Sequence, residues 1–228
     1  MKTKLCFAAL VSTLVLAPIA AKAETRHVVE LFTSQGCSSC PPADAVLRRI
    51  AADPAVLALG LHVDYWDRLG WKDTLGSPAF SARQRAYAQE RGDGQVYTPQ
   101  AVVDGQGLAV GSNGRAISRM MAETPLPVSV AISGGKVLVG PGQGSGALWR
   151  IDYISAATVP IGRGENAGSS VTYVNAVRGM TLIGQWSGKP ATYALGACGA
   201  AKGADACAVI LQAGSQSRPG PILGAAAR

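Results

Sequence analysis

Two cysteines separated by two residues, Cys37 and Cys40 of GCSSCPPAD, sit between the short apolar run HVVELF and the segment PPADAVLRRIAAD. In that second segment Ala43, Val46, Leu47 and Ile50 recur at helical spacing. The pattern predicts a strand, a turn holding the cysteines, and a helix. A cysteine at a helix N-terminus gains thiolate character from unpaired N–H groups and the helix dipole. Two intervening residues also let both sulfurs meet across one turn. Cys37 is therefore the expected nucleophile and Cys40 the resolving thiol. A permanent structural disulfide is the main alternative, and half of a zinc site is another. Zinc would have to recruit Cys198 and Cys207, whose spacing does not resemble a knuckle.

The double proline Pro41-Pro42 modifies this reading. Proline has no N–H to donate, so regular helix bonding is expected to begin around residues 39 to 41, with Cys37 in the turn before it. Ser38 and Ser39 offer hydroxyls but no positive charge, which points to intermediate thiol acidity.

The remaining chain predicts an α/β fold. VLALGLHVDYW is a near-continuous apolar run, as in a strand buried on both faces. SPAFSARQRAYAQERG reads as a helix opened by Ser77 and Pro78 and closed near Gly92. YTPQAVVDGQGLAVGS gives two strands around Asp104-Gly105, and NGRAISRMMAE gives a helix. Beyond Pro125 and Pro127 come VSVAISGGKVLVG, ALWRIDYI, SSVTYVNAVRGMTLIGQW, ATYALG and CAVILQA, β-prone runs punctuated by glycine. These predict a small, mainly antiparallel β-domain over residues 125–228, after a first domain over 24–124.

The element order over residues 27–124, with a CxxC opening the first helix and Thr98-Pro99 just before the third strand, resembles thioredoxin. More specifically, VELFTSQGCSSCPPAD, HVDYWDRLGWKD, YTPQAVVDG and GRGENAGSSVTYVNAVRG resemble a secreted bacterial family of unknown function with a thioredoxin-like fold. The resemblance implies that Pro99 is the cis-proline facing the dithiol and that the backbone at Thr98 pairs with an extended substrate. It also implies, allowing one extra residue before the CxxC, that Glu30 is the buried acid relaying a proton to Cys40. The other reading of Glu30, an acid in an otherwise apolar strand, is that it meets solvent or a basic partner.

HVDYWDRLGWKD gathers His62, Asp64, Tyr65, Trp66, Asp67 and Trp71 near the end of the second strand, where open α/β sheets place ligands. Trp66 and Trp71 are read as walls of a substrate groove, or as core and interface anchors. GRGENAG lacks the lysine and following helix of a phosphate loop. It is expected to be a plain turn, with packing of Arg163, Glu165 and Asn166 against the dithiol as the alternative. Two histidines give little basis for a metal cluster, although Cys37, Cys40 and one histidine leave a copper site open. No cofactor is expected.

Lys2 and Lys4, an apolar stretch from Leu5 to Ala20 and the small-x-small Ala21-Lys22-Ala23 form a signal-peptide pattern over residues 1–23. Its removal would take Cys6 with it and leave four cysteines in an oxidising periplasmic or extracellular compartment. Cys198 and Cys207, flanking GAAKGADA, are expected to form a structural disulfide. Loss of Lys2, Lys4 and Lys22 leaves 18 basic against 14 acidic side chains, a net charge of +4. That scattered surplus argues against a nucleic-acid partner, and nothing after the leader argues for membrane insertion. The expected function is a thiol-disulfide oxidoreductase working on protein thiols or disulfides with a separate redox partner. The alternative is a non-catalytic binding or metal-handling module on the same scaffold.

Overall fold

A computed structural model describes residues 24–227; the leader expected over residues 1–23 lies outside them. Strand β1 (His27–Thr33) is buried along its whole length and leads through the cysteine turn into helix α1 (Pro41–Ile50). Strand β2 (Val56–His62) runs parallel to β1, and a short 3-10 turn (Asp67–Leu69) follows. Helix α2 (Pro78–Arg91) starts where Ser77 Oγ accepts from the Ala79 amide, with Pro78 in the first position, and stops at Gly92 with φ +79°.

Strands β3 (Gln100–Val103) and β4 (Gly107–Val110) form a hairpin. Its turn needs two left-handed residues, which Asp104 (φ +51°) and Gly105 (φ +74°) supply. The Asp104 carboxylate also accepts from the Val28 amide at 2.7 Å, tying the hairpin to β1. Helix α3 (Gly114–Met121) is capped by Asn113, whose side chain accepts from the Ala116 amide.

The rest of the chain is β: β5 (Val130–Ser133), β6 (Lys136–Val139), β7 (Gly146–Pro160), β8 (Ser170–Trp186), β9 (Ala191–Ala194), β10 (Ala206–Ser215) and β11 (Arg218–Ala227). Among the described residues, β5, β6 and β9 make a small antiparallel sheet. The other four join the N-terminal strands in one mixed eight-stranded sheet, ordered β11-β10-β7-β8-β2-β1-β3-β4. The strands on the two sides of the Pro125–Pro127 joint thus share a sheet. The junction is narrow: β8 pairs with β2 at Gly60 and Ala176, and Asn175, at φ +46°, donates its side-chain amide to the Ala58 carbonyl.

Alternation along β1 divides the core. Val29 and Leu31 pack with Ala43, Val46, Leu47 and Ile117 under α1 and α3. Val28 and Phe32 pack with Phe80 and Tyr87 of α2 and with the C-terminal strands. Strands β7 and β8 stay paired out to Ala156–Pro160 against Ser170–Val174, where Tyr173 packs with Leu75 and Ala176 in a further small cluster. No helix among the described residues is long and apolar enough to cross a membrane.

Candidate functional site

After β1 the chain turns tightly, the Cys37 amide donating to the Ser34 carbonyl at 3.2 Å and the Cys40 amide to the Cys37 carbonyl at 3.1 Å. Cys40 is the N-cap of α1, so Cys37 lies in the preceding turn, as the double proline predicts. The amides of Ala43 and Asp44 are the first that α1 has to offer, and both close on the Cys40 carbonyl. The helix start therefore gives a Cys37 thiolate little direct N–H donation. Cys37 and Cys40 are joined in a disulfide with Cα atoms 5.4 Å apart. Both are buried, at 1% and 0% exposure, although Ser38 and Ser39 between them are exposed.

Trp66, Thr98 and Pro99 gather around this turn. Trp66 presses on Gly36, where an added Cβ would stand 3.3 Å from the Trp66 Cβ, and its indole N–H donates to Thr98 Oγ1 at 2.8 Å. The Thr98-Pro99 peptide is cis. Gly111 lets Pro99 approach the first turn of α1: a Cβ there would stand 3.1 Å from both the Pro99 and the Ala43 Cβ atoms.

The loop between β7 and β8 is not a plain turn. Asn166 Nδ2 donates to the carbonyls of Gln35 and Cys37, each at 2.9 Å, and Glu165 Oε2 accepts from the Ser38 amide at 3.0 Å. Trp71 supports the loop, its side chain lying 3.2 to 3.3 Å from where Cβ atoms on Gly164 and Gly162 would stand. Its indole N–H donates to Gln35 Oε1 at 2.9 Å. Trp71 is thus an anchor between the two halves of the chain, beside the cysteines.

Beneath the turn lies a buried polar group that the sequence reading did not single out as a site. Asp44, one turn after Cys40, accepts from Thr33 Oγ1 at 2.9 Å through Oδ1, while its Oδ2 is buried without a partner. Burial pushes the Asp44 carboxyl up to about 7, against the lowering influence of His62 and the Thr33 bond. His62 Nδ1 is 2.9 Å from Asp73 Oδ2, with both side chains almost fully enclosed, and His62 Nε2 is also buried without a partner. Burial alone would raise Asp73, but His62 and the amides of Gln35 and Leu75 outweigh it and hold the carboxyl below its usual range. The signal available in sequence was spacing, since Asp44 is four residues after Cys40 and shares its helical face.

Glu30 is held elsewhere. Arg83 Nε and Nη2 donate to its two oxygens at 2.7 and 2.9 Å, and the Tyr87 hydroxyl donates at 2.6 Å. Gln212 completes the cluster by accepting from Arg83 and donating to Tyr87. Glu30 thus faces α2, the opposite side of β1 from α1, and meets a basic partner instead of the cysteines.

Cys198 and Cys207 form the second disulfide, with Cα atoms 5.3 Å apart, at the start of β10. Two disulfides are compatible with an oxidising export compartment. Among the described residues, no three His, Cys, Asp or Glu side chains are grouped as metal ligands would be.

The family model described as Protein of unknown function (DUF1223) matches residues 28–212. The structure of protein AGR_C_4864 from Agrobacterium tumefaciens is 35% identical over 91% of this chain and 95% of its own, with a TM-score of 0.76. HBP35 of Porphyromonas gingivalis shares the fold at 12% identity, covering 90% of this chain and 75% of its own, with a TM-score of 0.60. No curated protein matches the chain.

Proposed function

This chain belongs to the DUF1223 family of proteins of unknown function, and we propose that it is an exported thiol-disulfide oxidoreductase on a thioredoxin-like scaffold. The observation that carries this reading is the Cys37–Cys40 disulfide at the mouth of α1, next to Thr98-Pro99 and one turn ahead of a buried Asp44 that titrates near neutrality.

In the reduced state the Cys37 thiolate attacks one sulfur of a substrate disulfide, and the other substrate sulfur leaves as a thiolate. Cys40 then gives its proton to Asp44 and attacks the Cys37 sulfur of the mixed disulfide. The second substrate sulfur departs, the pair is oxidised and the substrate has gained two electrons. Run backwards, the same steps oxidise a substrate dithiol. A carboxyl titrating near neutrality suits this exchange in either direction. Trp66 and Thr98 form the wall along which a substrate chain would lie.

A second reading, in which the pair is a permanent staple of a binding module, is favoured by the near-complete burial of Cys37. A redox titration separates the two. Equilibration in graded glutathione buffers should give a reversible two-electron midpoint for Cys37–Cys40 above about −300 mV, where structural disulfides resist reduction. A pair that stays oxidised throughout would support the staple.

A further inference from the structure

Three main-chain groups beside the nucleophile are occupied by side chains from a distant loop. The carbonyls of Gln35 and Cys37 accept from Asn166, and the Ser38 amide donates to Glu165, across sequence separations of 127 to 131 residues. An extended polypeptide approaching Cys37 would pair with these same groups, since strand addition works through main-chain carbonyls and amides. The Asn166 amide N–H stands where a substrate N–H would donate, and the Glu165 carboxylate where a substrate carbonyl would accept.

The loop is held at its base and at its middle. Ile161 is buried, the Ile161 amide donates to the Ser169 carbonyl at 2.9 Å, and the Gly168 amide returns to the Ile161 carbonyl at 2.8 Å. Gly164 in the loop and Gly168 at its base take left-handed φ values of +80° and +82°, and Gly164 lies directly against Trp71. The tip that reaches Cys37 is otherwise exposed, with Arg163, Gly164, Glu165 and Ala167 in solvent. A fixed base with a solvated tip allows Asn166 and Glu165 to leave the cysteine turn without unfolding the sheet.

We propose that Glu165 and Asn166 stand in for a substrate main chain, so that an extended polypeptide docks at Cys37 by competing for and replacing their three hydrogen bonds. The proposal rests on the redox reading of Cys37 and Cys40. In the step it governs, a substrate cysteine thiolate attacks the Cys37 sulfur, the Cys37–Cys40 bond breaks, and Cys40 leaves as a thiolate that takes up a proton.

The test compares the oxidised wild-type protein with Glu165→Ala/Asn166→Ala. Each is reduced by dithiothreitol or by an unstructured cysteine peptide, and the released Cys40 thiol is followed by alkylation and peptide mapping. Dithiothreitol pairs with no main-chain group and displaces neither side chain, so its rate should change by less than about threefold. The peptide must displace Asn166 and Glu165 to pair with the three groups, so the variant should react with it about tenfold or more faster, as expected for the loss of competing hydrogen bonds, a split that general loosening would not produce. Asn166→Asp, which keeps the size but faces two carbonyls with an acceptor, should reproduce the split if the double variant melts early. Unchanged rates with both thiols, or an equal rise with both, would overturn the proposal while leaving the redox reading intact. No exchange by either protein with either thiol would overturn the redox reading and this proposal with it.

Discussion

The Asp44 amide donates to the Cys40 carbonyl across 3.1 Å, which sets the Asp44 carboxyl on the helical face that carries the Cys40 sulfur. The groups facing it are Thr33 from β1, His62 from β2, Asp73 from the following loop, Tyr173 from β8 and Arg48 from its own helix. Because burial holds its carboxyl near 7, the folded state binds the Asp44 proton more tightly than the unfolded chain does. Stability should therefore fall as pH rises through the window between 3.8 and about 7. Asp44→Asn, which mimics the protonated acid, should remove that fall and be more stable than the wild type above neutrality, by on the order of 4 kcal/mol. Urea midpoints measured across this range check it, and a difference that does not grow with pH would contradict it. The same variant should slow resolution of a Cys37 mixed disulfide by about 100-fold and flatten its pH profile.

Glu30 and Arg83 form a buried ion pair, and removing one partner leaves the other charged and enclosed. Glu30→Ala should cost about 3 to 5 kcal/mol, whereas Glu30→Leu with Arg83→Met should recover most of that loss. Thiol exchange measured on the refolded single variant should be unchanged, because Glu30 faces α2. Slower exchange with an altered pH profile would return Glu30 to the relay.

Asp73 accepts from the Gln35 and Leu75 amides and pairs with His62. Asp73→Ala should cost about 3 kcal/mol or more by leaving buried donors without partners. Its wild-type contribution is present above the unfolded value of 3.8 and should be lost as pH falls through the lower folded value, as acid unfolding of the two proteins would reveal.

The Cys198–Cys207 bridge closes a short segment, with a sequence separation of 9. Replacing both cysteines by alanine should lower stability by about 2.6 kcal/mol from loop entropy. Exchange at Cys37 should persist, and its loss would mean that the second bridge takes part in the chemistry.

Local signals made the N-terminal elements readable. The CxxC, the capping pair Ser77-Pro78 and the Asp104-Gly105 turn each act within a few residues, and the structure has strands, helices and hairpin at those places. What escaped depends on register and distance. One extra residue before the CxxC moves a strand side chain to the other face, so Glu30 looks toward Arg83. Asp44, in the first turn of a helix, reads as an ordinary dipole partner until Thr33 is seen against it. The lengths of β7 and β8, and the reach of Asn166 to Cys37, follow from pairing across the whole sheet, which no local pattern encodes.

The central claim is that Cys37 exchanges with substrate sulfur and Cys40 resolves the product. Cys40→Ser, expressed in the export compartment, tests it most directly by diagonal electrophoresis under non-reducing and then reducing conditions. The account predicts discrete mixed disulfides that depend on Cys37 and vanish in Cys37→Ala/Cys40→Ser. A Cys40→Ser protein that folds, carries a free Cys37 and traps no partner would contradict it.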